Sequence, residues 1–355
     1  MKIGLILPGN IWYCPYVNIY TQILDKRNIR YDIIYWNRDG SEQQGIQFNK
    51  KNKDSRVRII KFLPYFEYAT FIKRVVKQNK YDKLIVFGPQ VAIFISNFLS
   101  KYYKNRFIFD YRDLSIEQNI YFKLPFKKVL RNSFANVISS PGFKKCLPVD
   151  FEYYLSHNLD IDKVKDVLDK EDKTTLCNEK INVLTIGSIR DYSSNIEVID
   201  SLANKNAFRL QFVGKGIDSD MIENYAKKQS IQNIDFKGFY PKEKEAEYIK
   251  QASFLNIFYP RVITHDTALS NRFYNALIYR RPMLVTSGTM QGDFVEKYQL
   301  GLSVDNCENM DEKMIDFLNN FDYEVFSKNC DKLLTDFMED FNIFENKVIE
   351  FLGAK

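Results

Sequence analysis

Histidine is scarce in this chain: only His157 and His265 occur in 355 residues. That scarcity argues against a His-built metal site. The five cysteines, Cys14, Cys146, Cys177, Cys307 and Cys330, are scattered and form no CxxC pair, so neither a zinc site nor a disulfide framework is expected and the metal complement is none. An odd, dispersed set fits a reducing cytoplasm. Long hydrophobic runs are missing too. The longest, Leu84–Leu99, is broken by Gly88, Pro89, Gln90, Ser96 and Asn97, and it reads as strand, turn and helix, not as a membrane span. The opening MKIGLILPGN has too short an apolar run for a signal peptide. GxxxxGK[ST] is absent and no GxGxxG opens either half, which disfavours ATP and dinucleotide binding. Low-complexity segments and short-period repeats are also lacking.

Aromatic residues, by contrast, reach 15%, with 23 Tyr and 29 Phe. They can line sugar or base pockets, or simply fill core and surface. Charge is distributed unevenly. Residues 1–160 hold 26 basic against 13 acidic side chains, and the remainder holds 25 against 32. Halves of opposite sign point to two domains with different partners. The basic half suits an anionic membrane, an acidic lipid-linked substrate or nucleic acid, but no nucleic-acid recognition motif accompanies it.

Strands alternate with helices almost throughout, the βαβ pattern of parallel, doubly wound sheets. In the first half, strands are predicted at Ile3–Leu7, Tyr31–Trp36, Val57–Phe62, Lys83–Phe87, Arg106–Asp110 and Val137–Ser139, with a polar loop over Gln43–Lys53. The pattern weakens between Pro148 and Lys180, where no strand is expected, and a linker is placed near Leu155–Asn158. It restarts with strands at Asn182–Ile186, Phe208–Val213, Ile234–Phe236, Phe254–Phe258, Met283–Val285 and Leu302–Val304. The expected fold class is α/β, with two Rossmann-like parallel-sheet domains, 1–157 and 158–355, whose terminal helices cross back to the first. Ligands of such sheets bind beyond the carboxyl ends of the strands.

Chemistry-bearing residues fall at those ends. Gly187-Ser188-Ile-Arg190 follows one strand: Gly187 permits close backbone approach and Arg190 can pair with a diphosphate. Lys215, between Gly214 and Gly216, follows the next, and Lys237-Gly238-Phe239-Tyr240 the third. Ser270, Asn271 and Arg272 open a helix running through Phe273, Ala276 and Leu277 and stopping before Pro282. Its exposed N–H groups and dipole suit a phosphate, with Arg272 a cation in the first turn. The competing reading is plain α/β scaffolding. Asp110, Arg112 and Asp113 follow a strand of the first half; Asp113 is the candidate base or a helix-capping residue, with Glu117 as alternative. His265 is the better site candidate of the two histidines.

The series Gly187–Arg190, Val213–Gly216, Phe236–Phe239, Asn271–Val285 and Gly301–Val304 resembles the donor domain of GT-B glycosyltransferases, above all family-4-like enzymes of bacterial capsule and O-antigen synthesis. Phe109–Asp113, Ser139–Phe143 and Ser156–Asn158 resemble that subgroup's first domain. The resemblance implies two domains facing across a cleft, a nucleotide-diphosphate sugar as donor substrate, no further cofactor, and transfer to a hydroxyl of a lipid-linked or oligosaccharide acceptor. It implies that Arg190 and Lys215 neutralise the diphosphate without a metal, that Gly187, Ser188 and Ser270–Arg272 surround the phosphates, and that Tyr240 sits near the base. Gly9, Asn10 and Arg112 fall on the acceptor side. The family often carries two Glu separated by seven residues, the second holding the ribose. Here that second position is Asn275, and Thr267 stands eight residues earlier, beside Asp266. Asn275 keeps hydrogen-bonding capacity without charge, and Asp266 or His265 is left to contact the sugar. The departure keeps two alternatives open: a catalytically degenerate sugar- or partner-binding subunit, and a nucleotide-sugar 2-epimerase.

Ile120–Phe134 interleaves Tyr121, Phe122, Leu124, Phe126, Leu130 and Phe134 with Lys123, Lys127, Lys128 and Arg131. Either it rests on an anionic membrane or it is a core-facing helix with a solvated basic side. The expected location is cytoplasmic, peripheral at the inner face of the membrane.

Overall fold

The computed structural model describes residues 1–41, 43–50, 58–170 and 179–353. The chain divides into two compact units, residues 1–158 with 339–355, and residues 159–338.

The first unit is built on a seven-stranded parallel sheet, β1 (Lys2–Ile6), β2 (Arg30–Asn37), β3 (Ile46–Asn49), β4 (Lys83–Phe87), β5 (Phe107–Tyr111), β6 (Ala135–Ile138) and β7 (Tyr154–Leu155), in the order β3-β2-β1-β4-β5-β6-β7. Near-continuous burial of β1, β4 and β5 is what a parallel strand covered on both faces requires. Helix Val17–Asp25 packs Val17, Ile19, Tyr20, Ile23 and Leu24 onto this sheet together with Phe344, Val348 and Phe351 of the C-terminal helix Tyr323–Leu352. Tyr20 meets Phe344 edge-on at 5.2 Å between ring centroids.

Three expectations are corrected here. Residues Arg58–Phe62, read as strand, begin the 22-residue helix Arg58–Asn79; Val57 lies outside the described residues. The β-branched Ile59 and Ile60 favour a strand and Pro64 disfavours a helix interior, but aromatic packing along the helix overrides both. Tyr65 and Phe66 meet Phe94, and Tyr65 and Tyr68 meet the buried Trp36. Within the predicted loop Gln43–Lys53, Ile46–Asn49 pairs with β2 as β3, and Trp36 Nε1 donates to the Lys50 carbonyl at 2.7 Å; Lys51–Lys53 lie outside the described residues. Between Pro148 and Lys180, Tyr154–Leu155 pairs with β6, and Asp160 caps helix Ile161–Leu168 by accepting from the Lys163 N–H. Cys177 also lies outside the described residues.

The second unit carries β8 (Ile181–Ile186), β9 (Phe208–Val213), β10 (Ile234–Gly238), β11 (Phe254–Ile257), β12 (Met283–Thr286) and β13 (Gly301–Val304), all parallel, in the order β10-β9-β8-β11-β12-β13. Strand order reverses at β8/β11, as it does at β1/β4 in the first sheet. Such switch points open a crevice beyond the strands' carboxyl ends. No helix among the described residues is long and apolar enough to cross a membrane.

Candidate functional site

At the carboxyl ends of β8, β9 and β10 the loops are stacked backbone on backbone. A Cβ on Gly214 would come 2.0 Å from the Gly187 carbonyl oxygen, and one on Gly216 would come 2.1 Å from that of Ile189. Glycine is therefore required for this approach, not merely tolerated in a turn. Gly214 N–H donates to the Gly238 carbonyl at 2.7 Å, joining the third loop to the stack. A Cβ on Gly187, by contrast, would meet nothing within 4 Å, so the space above the β8 loop is open. Ser188 and Arg190 are exposed beside it, and the Arg190 guanidinium has no protein partner among the described residues. Lys215 is held at the surface by Asp220 at 2.6 Å, which favours its charged form.

Ser270 caps helix Asn271–Ile278, its hydroxyl accepting from the Phe273 N–H and donating to Gln291 Oε1 at 2.7 Å. Asn271 is exposed at the helix start. Arg272 is not the first-turn phosphate cation expected from sequence. It is 8% exposed, and its guanidinium donates to the carbonyls of Ile186, Asn256 and Ser188 at 2.5, 3.1 and 3.0 Å. It thus staples β8 to β11 at the switch point. The reason lies in the strand ends: their last carbonyls need donors, and a planar fork reaches three at once.

Asn275 lies beside a carboxylate that the sequence reading missed. Its Nδ2 donates to Glu245 Oε2 at 3.4 Å, Lys242 Nζ donates to the same oxygen at 2.5 Å, and the Tyr240 hydroxyl donates to Glu245 Oε1 at 2.8 Å. Glu245 is 9% exposed, at the start of helix Glu245–Lys250. Burial and the adjacent Glu245 push the Tyr240 hydroxyl above its usual range, so it stays a donor. Tyr240 is thereby committed to Glu245, while the ring of Phe239 stands exposed next to it.

His265 lies 3.9 Å from Asp191, Nε2 to Oδ2, beyond hydrogen-bond range. Asp191 Oδ2 and His265 Nδ1 are both buried atoms with no hydrogen-bond partner among the described residues. Asp191 also adopts the left-handed region, φ 66°, which a non-glycine residue enters at a cost. No motif marks Asp191; only its place directly after Arg190 hinted at it. Asp266 is taken up by Arg261, which donates to both its oxygens at 2.8 and 3.3 Å and also to the carbonyls of Ser287 and Gly288. It therefore braces the β11 and β12 loops instead of standing open to a sugar.

In the first unit, Asn10 is fully buried after β1. Its amide donates to Asn37 Oδ1, Asp39 Oδ1 and Ser41 Oγ, and its Oδ1 accepts from the Arg38 N–H at 3.0 Å. These bonds hold the loop after β1 in place. A Cβ on Gly9 would meet nothing within 4 Å. Arg112, expected on the acceptor side, is buried against Asp110 in a two-pronged pair at 2.5 and 2.7 Å and donates to the Ser156 carbonyl and hydroxyl. Burial opposes the Arg112 charge, but Asp110 more than restores it. Tyr20 donates to the same carboxylate at 2.6 Å. Asp113 is exposed at the end of this segment. Glu117 is buried, accepting from the Tyr111 hydroxyl and the Ser115 N–H, which removes it as an accessible base. Among the described residues no group of three His, Cys, Asp or Glu side chains is placed to hold a metal ion.

No family model and no curated protein matches the sequence. Solved structures do match the fold. Sucrose-phosphate synthase from Thermosynechococcus elongatus aligns with a TM-score of 0.73 at 12% identity, over 99% of each chain. Anabaena HepE, solved in complex with UDP, aligns with a TM-score of 0.69 at 10% identity, again over 99% of each chain. The lipopolysaccharide outer core galactosyltransferase WaaB aligns with a TM-score of 0.67 at 13% identity and 99% coverage of both. At these identities the likeness is one of fold: the chain has the two parallel-sheet α/β domains of the GT-B glycosyltransferases.

Proposed function

We propose that the protein is a metal-independent glycosyltransferase, of hexosyltransferase type, that moves a sugar from a nucleotide-diphosphate donor to a hydroxyl of a saccharide or lipid-linked acceptor in surface polysaccharide synthesis. The observation that carries the reading is the cluster at the β8/β11 switch point. Two buried polar atoms, Asp191 Oδ2 and His265 Nδ1, have no partner among the described residues, Arg190 has none either, and the space over Gly187 is open. Buried polar atoms are almost always paired, so the open Asp191 carboxylate oxygen asks for a hydroxyl donor and the open Arg190 guanidinium, one residue before it, for an anionic group: a ligand that carries both. HepE, of the same fold, was solved with UDP-glucose, which favours a nucleotide sugar as that ligand.

In this reading Arg190 and Lys215 neutralise charge developing on the departing diphosphate, helped by the positive dipole end of helix Asn271–Ile278. Gly187 and Ser188 let the phosphates approach the backbone. Asn275 with Glu245 takes ribose hydroxyls, and Tyr240 with Phe239 frames the base. His265 and Asp191 contact the transferred sugar, and Asp113 accepts the acceptor proton. The epimerase alternative asks for more cleft acids and histidines than two histidines supply.

The membrane part of the proposal rests on a patch spanning two helices. Ile120, Tyr121 and Leu124 of helix Ile120–Asn132 are strongly exposed, as are Leu63 and Phe66 of helix Arg58–Asn79. Phe62, Phe94 and Phe122 join the helices with ring centroids 5.6 to 6.1 Å apart. Exposed Lys123, Lys127, Lys128 and Arg131 flank the apolar tip, the composition of a surface that lies on anionic lipid.

The test is thermal denaturation with a panel of UDP-, GDP- and dTDP-sugars, followed by donor hydrolysis assays. One nucleotide should raise the melting temperature by mass action, and slow hydrolysis should follow. Arg190→Ala and Lys215→Ala should each lower turnover roughly 100-fold while leaving the melting temperature in place. A flat response to every nucleotide refutes the donor assignment, and binding without hydrolysis or transfer selects the non-catalytic alternative.

A further inference from the structure

The loop after β1 presents one of the two tryptophans of the chain to solvent. Trp12 is 53% exposed, whereas Trp36 is fully buried. Exposure of Trp12 is not a consequence of a loose loop. The Ile11 N–H donates to Gln43 Oε1 at 2.6 Å, the Tyr13 and Cys14 N–H groups close a turn onto Asn10 and Ile11, and Asn10 is pinned by the bonds described above. Gln43 is held in turn: its N–H donates to the Tyr35 hydroxyl at 3.2 Å, and its carbonyl accepts from that hydroxyl at 3.1 Å. A rigid loop that leaves a large indole in water forgoes the burial that would stabilise it.

The indole forms one wall of a groove of about 380 Å³, within the ~300–1,000 Å³ range of small-molecule sites. Ile11 and Ile33 supply an apolar floor, and Asn18, Gln43 and Gln44 supply side-chain amides. With Gln43 Oε1 spent on the Ile11 N–H, its Nε2 and the amides of Asn18 and Gln44 have no protein partner among the described residues. None of the described residues lining the groove is charged. A phosphate or nucleotide would find no counter-charge there. A neutral pyranose would find an aromatic face for its C–H surface and amides that both donate to and accept from its hydroxyls.

The geometry points to a saccharide-binding subsite for a neutral sugar residue, stacked on Trp12 and hydrogen-bonded by Asn18, Gln43 and Gln44. The ligand class follows from the groove itself; its role as the acceptor end rests on the transferase reading. Because Trp36 is buried and does not line the groove, a ligand-induced change in tryptophan emission reports on Trp12, against the constant emission of Trp36. The full-length protein is titrated with methyl glycosides of glucose, galactose, mannose and N-acetylglucosamine and with their disaccharides, to roughly 10 mM. At least one should shift and quench the emission saturably, with methyl glucuronide weaker. Gln44→Ala, which keeps the reporter, should weaken that saccharide roughly five-fold, and Trp12→Ala should abolish its saturation-transfer NMR signals. No saturable response from any probe, or undiminished NMR signals in Trp12→Ala, overturns the subsite. Nucleotide-sugar binding is measured separately on the unaltered protein. A nucleotide response without a saccharide response removes the subsite and leaves the transferase reading; the reverse removes the transferase reading and leaves the subsite.

Discussion

The Asn275 side-chain amide lies 3.4 Å from Glu245 Oε2, so a carboxylate reaches this part of the site from helix Glu245–Lys250, not from helix Asn271–Ile278 that carries Asn275. The neutral amide is then a fitting neighbour, since it donates where a second carboxylate would repel. Asn275→Glu is expected to damage the protein instead of improving it. Two carboxylates in near contact should cost about 1–3 kcal/mol and lower the melting temperature by roughly 2–6 °C, with no gain in kcat/KM. Glu245→Gln should keep the fold and weaken donor binding about ten-fold. An Asn275→Glu variant that is both stable and faster would show that Glu245 does not supply the acidic group.

Arg272 yields a second prediction, because a staple and a phosphate ligand respond differently to a conservative change. Lysine keeps the charge but cannot serve the carbonyls of Ile186, Asn256 and Ser188 together. Arg272→Lys should therefore lose about 2–3 kcal/mol of stability in urea denaturation, before any nucleotide is added. A variant with parental stability and abolished nucleotide binding would return Arg272 to the phosphates.

Much of the second unit was legible from the chain. Phe208–Val213 was located as drawn, and the neighbouring strands shifted by one or two residues, because continuous apolar runs between Gly-bearing turns leave few alternatives. The same local logic failed at Arg58–Phe62, where contacts of Tyr65 and Tyr68 with Trp36, distant in sequence, decide the helix. Within the site, glycines announced the loops, but not that Gly214 and Gly216 exist to let two backbones touch. Side-chain partners were the illegible part. The sequence shows Arg272, Arg112 and Asp266 as available charges; only the fold reveals three carbonyls, Asp110 and Arg261 occupying them. Glu245 was invisible for the complementary reason, since nothing local places it against Asn275, thirty residues on.

His157 gives the fold a dependence on pH. Its ring is buried, Nε2 lies 3.0 Å from Asp340, and burial pulls its pKa below the ordinary 6.5, with Arg112 adding to the effect and Asp340 opposing it. The unfolded chain therefore binds a proton at a higher pH than the native state does. Stability from this group is complete above about pH 6.5 and is lost as pH falls towards the lowered native value. Urea midpoints measured from pH 7.5 down to 5 should fall for the parent protein and fall less for His157→Gln. Equal slopes would locate the acid sensitivity elsewhere.

The two-helix patch predicts lipid dependence with a specific shape. If Ile120, Tyr121, Leu124, Leu63 and Phe66 enter the interface while Lys123, Lys127, Lys128 and Arg131 meet headgroups, binding needs both parts. Cosedimentation should show binding to vesicles containing phosphatidylglycerol and little to phosphatidylcholine alone. Raising salt from about 0.1 to 0.5 M should weaken it, because the Debye length shortens to well under 10 Å. Lys123→Glu with Lys127→Glu should reduce binding by at least five-fold per charge removed, roughly. Leu124→Asp should reduce it even at low salt, where the basic residues remain effective, which a purely electrostatic contact would not do. Helix Ile120–Asn132 buries Phe126, Val129 and Leu130 on its other side, so these exposed changes leave its packing intact and loss of binding reads the surface. Salt-insensitive binding to neutral vesicles, or none to either kind, would return the patch to an ordinary solvated helix face.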